Sequence, residues 1–524
     1  MNLNISNLIS EAILFHKNGL IEKAHKNYKI ILKEQPENTE ILKLIGIIEL
    51  ESKNFSKSVE YLNRAIESNK NIAELFSIRG VIYLKLKQYD NAIKDFEKTI
   101  KIDKNFKDAY FNLGAIFKEK RNLIKALNYF EKVTFIDPKN KKAFSNKAFI
   151  KIELRDFKGA LSDLNKAIEH DPNYINAYLQ RGNVHKELKL FNKSLDDYNK
   201  VLSFNKSQSH TLYNEALFNK SQLCLLTGNF NEGWKLYENR FLIKDYPKQN
   251  KNFLKPVLES LDGLDNKTIL ILGEQGIGDN IQFSRYLPLL KKKCSKIVFQ
   301  VDKKMRNFFE KTNIADEVYS LDKNILNYDF YSYLMSLPFL FKTTLSNIPK
   351  SLLNIKTDKQ NVQKWNLRFK TDARKLKIGI NWEANKNIPG RSIPLKFFHK
   401  LSLFKNLNLY SLQKNHELNQ IKKTNIKITE FDNFDNDGLF FDTISLINNL
   451  DLIITTDTSI AHLGGSMNKK TWVLLNDVPE WRWKLNTDKS YWYESITLFR
   501  CKKKDDWATI FNEIENRLLK LNIN

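Results

Sequence analysis

Small and apolar positions recur along the first 208 residues with one spacing. Ala12, Gly46, Gly80, Gly114, Ala148 and Gly182 each stand 34 positions after the last, and Ala24, Ser58, Ala92, Ala126, Ala160 and Ser194 repeat that step twelve residues later. Side chains this small let two antiparallel helices cross closely. Tyr28, Leu62, Phe96, Phe130, Leu164 and Tyr198 share the period and are predicted to fill the space between neighbouring repeats. Pro36, Pro138 and Pro172 mark the ends of second helices, because proline cannot continue a helix interior. Six helix pairs are thus predicted over roughly residues 5 to 208, with these small and apolar positions used for packing. Exposed first-helix positions such as Asn112, Lys147 and Asn183 are candidates to line a concave face.

The period then breaks. Asn214 to Phe241 reads as an irregular seventh pair, with Gly228 in its turn and Gly233 in the small-residue place. Trp234, Tyr237 and Phe241 lie three and four apart, an apolar face predicted to dock against the next domain. A linker with Pro247 and Pro256 follows.

From residue 266 the pattern changes to short apolar runs separated by helical stretches, which signals a parallel, doubly wound sheet. Strands are predicted at Ile269 to Leu272, Lys296 to Val301, Glu317 to Leu321 and Tyr328 to Leu334, closed by a helix near Lys359 to Lys370. A second set follows at Lys377 to Glu383, Asn408 to Lys414, Lys427 to Phe431, Asp451 to Asp457 and Thr471 to Leu475. The expected organisation is a helical array over 1–208, a capping pair over 209–245, a linker over 246–265, and two α/β domains over 266–372 and 373–524, the last ending in a helix. Two such domains side by side form a cleft.

Composition changes this picture little. The formal charge of +25 invites a nucleic-acid or membrane reading, but the excess is mostly lysine spread from end to end, as compositional drift would leave it. No specific nucleic-acid partner is expected. Cys224, Cys294 and Cys501 lie far apart, which suggests neither a zinc site nor a disulfide framework. The N-terminus lacks a basic region ahead of its apolar part, and a cytoplasmic protein is expected.

Two segments carry candidate chemistry. Gly273, Gly276 and Gly278 follow the strand at 269–272, and Asp279 opens a helix; glycines there let backbone approach a ligand. The order G-x-x-G-x-G departs from the dinucleotide fingerprint, so NAD is not expected. On the local pattern alone Asp279 reads first as a helix cap and second as a functional carboxylate. In DTSIAHLGGS, Asp457 to Ser466, a strand ends at Asp457 while Thr458 and Ser459 open a helix whose free N–H groups suit a phosphate. His462 lies one turn in. The loop NWEANKNIPGRSIP, Asn381 to Pro394, supplies Lys386 and Arg391, cations able to meet charge on a departing diphosphate. No D-x-D motif follows a strand to hold a metal.

The 34-residue period with its Asp137-Pro138 and Asp171-Pro172 dipeptides resembles the tetratricopeptide repeat. GEQGIGDNIQFSRYLPLL, the loop NWEANKNIPGRSIP, SLQK at Ser411 to Lys414, and DTSIAHLGGS with its trailing VPEWRWKL resemble bacterial proteins that fuse such repeats to a glycosyltransferase domain similar to the ADP-heptose:lipopolysaccharide heptosyltransferases. The eukaryotic protein O-GlcNAc transferase joins repeats to a similar unit, but the motifs fit the heptosyltransferase side better. The resemblance implies a two-Rossmann (GT-B) fold and an inverting, metal-independent transfer from a nucleotide-diphosphate sugar, with no cofactor. It maps the base onto Asp279, with Gly276, Gly278 and Gln282 on the acceptor side. Donor binding maps onto Asp457, Thr458, Ser459 and His462, with Lys386 or Arg391 on the phosphate. The implied acceptor is a protein or a surface glycan, the latter with peripheral contact at the inner membrane. The implied alternative is a repeat scaffold whose C-terminal half binds a nucleotide sugar without turnover.

Overall fold

The computed structural model describes residues 2–243, 246, 253–274, 276–350, 353, 355, 358–369, 375–384, 390–414, 419–436 and 438–520. The chain divides into two compact units, Met1–Val201 and Leu202–Asn524. Among the described residues no helix is long and apolar enough to cross a membrane.

The first unit is a run of antiparallel helix pairs: α1 (Asn2–Lys17) with α2 (Ile21–Glu34), α3 (Thr39–Glu51) with α4 (Phe55–Ser68), α5 (Ala73–Lys85) with α6 (Tyr89–Ile102), α7 (Lys107–Glu119) with α8 (Leu123–Ile136), α9 (Lys141–Glu153) with α10 (Phe157–His170), and α11 (Ile175–Glu187) with α12 (Phe191–Ser203). Each small position meets the large one sixteen residues on. A Cβ on Gly80 would stand 2.9 Å from the Phe96 ring, one on Gly114 2.9 Å from Phe130, and one on Gly182 2.6 Å from Tyr198. The large residue therefore packs first within its own pair, and Phe96 also joins Ala109 and Leu113 of the next repeat. Where serine replaces alanine it adds a bond: Ser194 Oγ donates to the Gly182 carbonyl at 2.7 Å. The Asp of each Asp-Pro dipeptide ties the far end of its pair, Asp137 to Lys107 at 3.0 Å and Asp171 to Lys141.

The turn inside each pair repeats as well. Gly19 is left-handed at φ 75°, and Lys53, Lys87, Arg121, Arg155 and Lys189, each 34 residues further, take φ of 58° to 62°. The bonds Asn54 N–H to Glu49 O (2.7 Å) and Lys53 N–H to Leu50 O (3.0 Å) form a Schellman cap, and the same pattern recurs at Gln88 and Asn122. Five basic residues thus occupy backbone positions that favour glycine.

The second unit opens with α13 (His210–Thr227) and α14 (Phe230–Tyr237), which turn at Gly228, φ 103°. Gly233 fills the small-residue place, since a Cβ there would lie 2.8 Å from Leu225. The predicted apolar face packs on the sheet domains, with Trp234 and Tyr237 buried and Phe241 half-buried: Trp234 stands edge-on to Trp481 at 5.3 Å and to Phe283 at 6.2 Å, and Phe241 meets Tyr333 at 4.3 Å.

A four-stranded sheet follows, built from β1 (Thr268–Leu272), β2 (Lys296–Val301), β3 (Glu317–Ser320) and β4 (Phe330–Tyr333), with α15 (Ile277–Phe283), α16 (Leu287–Lys291), α17 (Lys303–Glu310) and α18 (Leu337–Leu340) between and after them. Past α19 (Lys359–Asn366) come β5 (Leu376–Asn381), β6 (Leu407–Ser411), α20 (Asn419–Lys422), β7 (Ile428–Thr429), α21 (Phe441–Asn449), β8 (Leu452–Thr456), α22 (Ser459–Ser466), β9 (Thr471–Leu475), β10 (Ile496–Arg500) and α23 (Trp507–Leu519). The sequence patterns do not anticipate β10. It is an edge strand whose apolar residues Ile496, Leu498 and Phe499 are interrupted by Thr497 and followed by Arg500, so it shows no continuous apolar run.

All named strand pairs are parallel, in the orders β3-β2-β1-β4 and β7-β6-β5-β8-β9-β10. In both sheets the first strand pairs on one side with the second and on the other with the fourth. The order in which strands are added reverses at that seam, and loops leaving the carboxyl ends there diverge to open a crevice. In the first sheet β1 adjoins the seam and leads into the glycine turn. In the second, β5 ends at Asn381, ahead of the segment that carries Arg391, and β8 leads into the turn at Asp457.

Candidate functional site

The glycine turn owes its shape to close approaches. A Cβ on Gly273 would lie 2.4 Å from Asn280 Oδ1 and 3.1 Å from the Gln300 carbonyl. Asn280 is fully buried and its Nδ2 donates to the carbonyls of Glu274 (3.0 Å) and Gly276 (2.9 Å), which folds the turn onto the start of α15. Asp279 closes the same turn, its Oδ2 accepting the Gly276 N–H at 2.9 Å. The capping reading of Asp279 therefore describes one of its two oxygens. Gln282 lies within α15, fully buried, with neither amide atom hydrogen-bonded.

Gly278 brings the two sheet domains together. A Cβ on it would stand 2.7 Å from His462 Cδ2 and 3.6 Å from Ser459 Cα, so the first turn of α15 lies directly against the first turn of α22. The second oxygen of Asp279, Oδ1, accepts from Arg482 Nη2, and Arg482 Nη1 reaches Glu480 Oε1. The guanidinium lies over the Trp481 ring at 4.3 Å.

At the end of β8, Asp457 is buried and its Oδ2 pairs with Arg391 Nε at 3.2 Å. Thr456 Oγ1 donates to the Arg391 carbonyl, which fixes Arg391 on the end of the strand. Thr458 has extended backbone and no capping hydrogen bond from its side chain; its hydroxyl donates to Asn381 Oδ1 at 3.0 Å. Asn381 in turn donates to Gln413 Oε1 at 2.9 Å, linking β5 to the SLQK segment. Thr458 thus gives α22 no side-chain cap, and its hydroxyl proton is already used. Ser459 begins the helix. Lys386 falls outside the described residues.

His462 is buried, its Nδ1 3.1 Å from Tyr493 Oη and its ring stacked 5.4 Å from Trp483. Burial, together with the charges of Arg482, Arg285 and Arg391, pushes its pKa well below the usual value. It is neutral at pH 7, able to accept or donate one hydrogen bond but not to serve as a cation. Glu480 is pushed up to about 7, because burial outweighs the attraction of Arg482 and Arg391. Burial alone would lower Arg482, yet Asp279 and Glu480 hold it above its ordinary range.

Of the expected residues, Gly278, Asp279, Ser459 and His462 meet at one point, and Asp457, Thr458 and Arg391 stand around the end of β8. Gln282 lies behind the turn. Sequence reasoning passed over Glu480, Arg482, Tyr493, Asn381 and Arg285. Arg285 Nη1 donates to the Trp492 carbonyl at 2.6 Å, and its guanidinium lies over the Tyr493 ring at 4.6 Å. The available signal was the segment VPEWRWKL, where an acid and a base alternate with tryptophans: such charges are buried only when paired. A separate cavity of about 550 Å³ lies between α17 and α21, lined by Phe308, Lys311, Phe441 and Ile444 among others, and none of the expected site residues borders it.

Comparison with known proteins identifies the repeats. Tetratricopeptide repeat models match residues 10–72, 73–106, 107–140 and 175–208. Protein FlbA of Caulobacter vibrioides is 23% identical over 330 residues, covering 57% of this chain and 54% of its own length, so the chain spans about half of that relative. Among solved structures, MamA of Desulfovibrio magneticus RS-1 is 20% identical, covering 33% of this chain and 97% of its own at a TM-score of 0.31. The C-terminal part of a repeat protein from Cytophaga hutchinsonii is 18% identical, covering 46% and 96% at a TM-score of 0.39.

Proposed function

We propose that the two sheet domains form a GT-B glycosyltransferase unit that moves a sugar from a nucleotide-diphosphate sugar to a protein or surface-glycan hydroxyl with inversion and without a metal, while the repeats recruit the acceptor or a protein partner. The single observation that carries the reading is the contact of Gly278 with His462 and Ser459. It brings the turn that carries Asp279 against the first turn of α22, with Arg482 on the Asp279 carboxylate and Arg391 on Asp457 at the end of β8.

The donor's diphosphate would take the amides of Ser459 and Ile460, the positive end of the helix dipole, and the guanidiniums. The acceptor hydroxyl would approach from the Asp279 side. Its oxygen forms the new bond to the anomeric carbon as its proton passes to the Asp279 carboxylate; the old anomeric C–O bond breaks, and its electron pair leaves on the nucleoside diphosphate. Negative charge growing on that leaving group is what fixed guanidiniums and backbone donors stabilise. A surface-glycan acceptor would bring the chain into peripheral contact with the inner membrane. A protein acceptor would be delivered by the repeats, whose stacked first helices offer an extended face.

The test is thermal stability of the full chain against ADP, GDP, UDP and dTDP and their sugars, without added metal. Ligand at one hundred times its dissociation constant stabilises by about 2.7 kcal/mol. A shift with one base, lost on Thr458→Ala or Arg391→Ala, supports the reading; no shift with any nucleotide in a folded chain defeats it.

One observation favours a non-catalytic scaffold that only binds the nucleotide sugar: both Asp279 oxygens are already engaged, by the Gly276 N–H and by Arg482. Under that reading Asp279→Asn leaves the chain's function intact. Under the first it abolishes transfer.

A further inference from the structure

We propose that Arg482 is a diphosphate-binding residue which Asp279 occupies until the donor arrives, so that donor binding and release of the Asp279 carboxylate are a single exchange. The inference rests on the donor-site reading above and adds to it a residue and an order of events.

Arg482 carries two carboxylates at once. Nη2 holds Asp279 and Nη1 holds Glu480, whose other oxygen, Oε2, accepts the Arg482 N–H at 2.9 Å. Its Nε is buried without a partner, so one donor of the fork is unused. The residue is 7% exposed. An arginine fork offers paired donors that match phosphate as well as carboxylate, and the unused Nε lets Arg482 take a second oxygen on exchange.

The surroundings make the exchange one-sided. Arg285, Arg391 and Arg482 all act on His462, and Asp279, Asp457 and Glu480 act on Arg482. Three guanidiniums thus face three carboxyl groups, of which Glu480 is only partly ionised near neutral pH, so the set has little positive charge to spare for an incoming diphosphate. One carboxylate must give up its cation. Asp457 is buried on Arg391 at the strand end, and Glu480 sits two residues from Arg482 on the same segment, tied to its backbone. Asp279 differs from both: it comes from the other sheet domain, and the Gly276 N–H keeps its second oxygen in place. It can release Arg482 without moving and without losing its charge. The Trp481 ring at 4.3 Å and the Phe283 ring at 5.5 Å keep the guanidinium where it is. After the exchange a carboxylate freed of its counter-ion faces the acceptor side as a stronger base.

The experiment is calorimetric titration of ADP, GDP, UDP and dTDP into the full chain, the Asp279→Asn and Arg482→Lys variants and the double variant, each first shown by its melting curve to be folded. If Asp279 competes for Arg482, Asp279→Asn binds the recognised nucleotide about three- to tenfold more tightly than the natural chain. Arg482→Lys binds it at least about tenfold more weakly, and the double variant shows no gain over Arg482→Lys. Nucleotide binding that is unchanged or weaker in Asp279→Asn, with the natural chain binding normally, overturns the exchange and leaves the donor site standing. No binding by the natural chain removes the donor site itself. Should Arg482→Lys fail to fold, the Asp279→Asn affinity decides alone, since asparagine keeps the size and the capping oxygen of the residue it replaces.

Discussion

Arg240 grips both carboxylate oxygens of Glu274, Nη2 on Oε1 at 2.8 Å and Nε on Oε2 at 3.1 Å, with the arginine fully buried and the glutamate 7% exposed. Glu274 is the residue between Gly273 and the rest of the glycine turn, and Arg240 follows α14. The same carboxylate accepts from Tyr246 Oη at 3.0 Å and from the Met335 N–H at 2.9 Å. The helix pair that precedes the sheets is thus tied to the turn that leads into α15, the helix carrying Asp279. Breaking a buried pair by removing one member leaves the other charged and unpaired, which costs about 3–5 kcal/mol. Arg240→Ala should lose that much in urea unfolding of the second unit, and Arg240→Met with Glu274→Met should recover part of it. A loss under about 1 kcal/mol in the single variant would mean that the network is dispensable.

Gly278 has no room for a side chain. A methyl group there would overlap His462 and push α15 from α22, and overpacking of this kind costs about 1–3 kcal/mol. Gly278→Ala is expected to lower the melting temperature and, on the proposed donor site, to abolish stabilisation by nucleotide while leaving the repeat array folded. Circular dichroism with and without nucleotide measures both. Retained nucleotide stabilisation would separate the ligand site from this contact.

Lys484 links the tail of VPEWRWKL to the helix pair, its Nζ donating to the Leu225 carbonyl at 3.3 Å. Burial holds its pKa down to about 8. In the unfolded chain a lysine titrates near 10.4, so between these values the unfolded state binds more protons and stability rises with pH. Below about pH 8 both states are charged and the folded state bears the whole desolvation cost. At about 1.36 kcal/mol per unit the rise from pH 8 to 10.5 is of the order of 3 kcal/mol, and Lys484→Met should lack it. Stability curves of the two proteins that stay parallel over this range would contradict the assignment.

The five left-handed basic residues of the array predict stabilising substitutions. An L-residue in this conformation is roughly 1–2 kcal/mol less favourable than glycine before the entropy of glycine is counted. Lys87→Gly and Arg121→Gly are each expected to raise the stability of the array by about 0.5–1 kcal/mol. The two turns lie in different helix pairs and share no hydrogen-bond partner, so the two effects should add nearly independently. A fall in stability on both would show that the lysine and arginine stems contribute more than the backbone strain removes.

The sequence by itself determined the parts that depend on local periodicity. A 34-residue step with a small residue facing a ring sixteen positions later admits one packing, and Gly80 and Phe96 meet in it as their spacing requires. The left-handed turn was legible only at Gly19. At Lys53 and its four successors the conformation is imposed by the neighbouring helices, and the residue type gives no sign of it. Apolar runs placed the inner strands, since a strand buried on both faces must be apolar throughout; β10, at an edge, lacked that signal. The glycine turn and the Asp457 to Ser466 segment were likewise visible, as both are punctuation at strand ends.

Only the tertiary structure decided which of those residues meet. Asp279 and Arg482 are 203 positions apart, Gly278 and His462 184, and no local pattern links either pair. Their contact follows from the seams in the two sheets, each bringing the carboxyl ends of β1, β5 and β8 to one crevice. The charges of Glu480 and Arg482 read as solvated side chains in a one-dimensional string. They are a buried network because tryptophans around them exclude water, and a charge without water must find a partner, which here comes from the other domain.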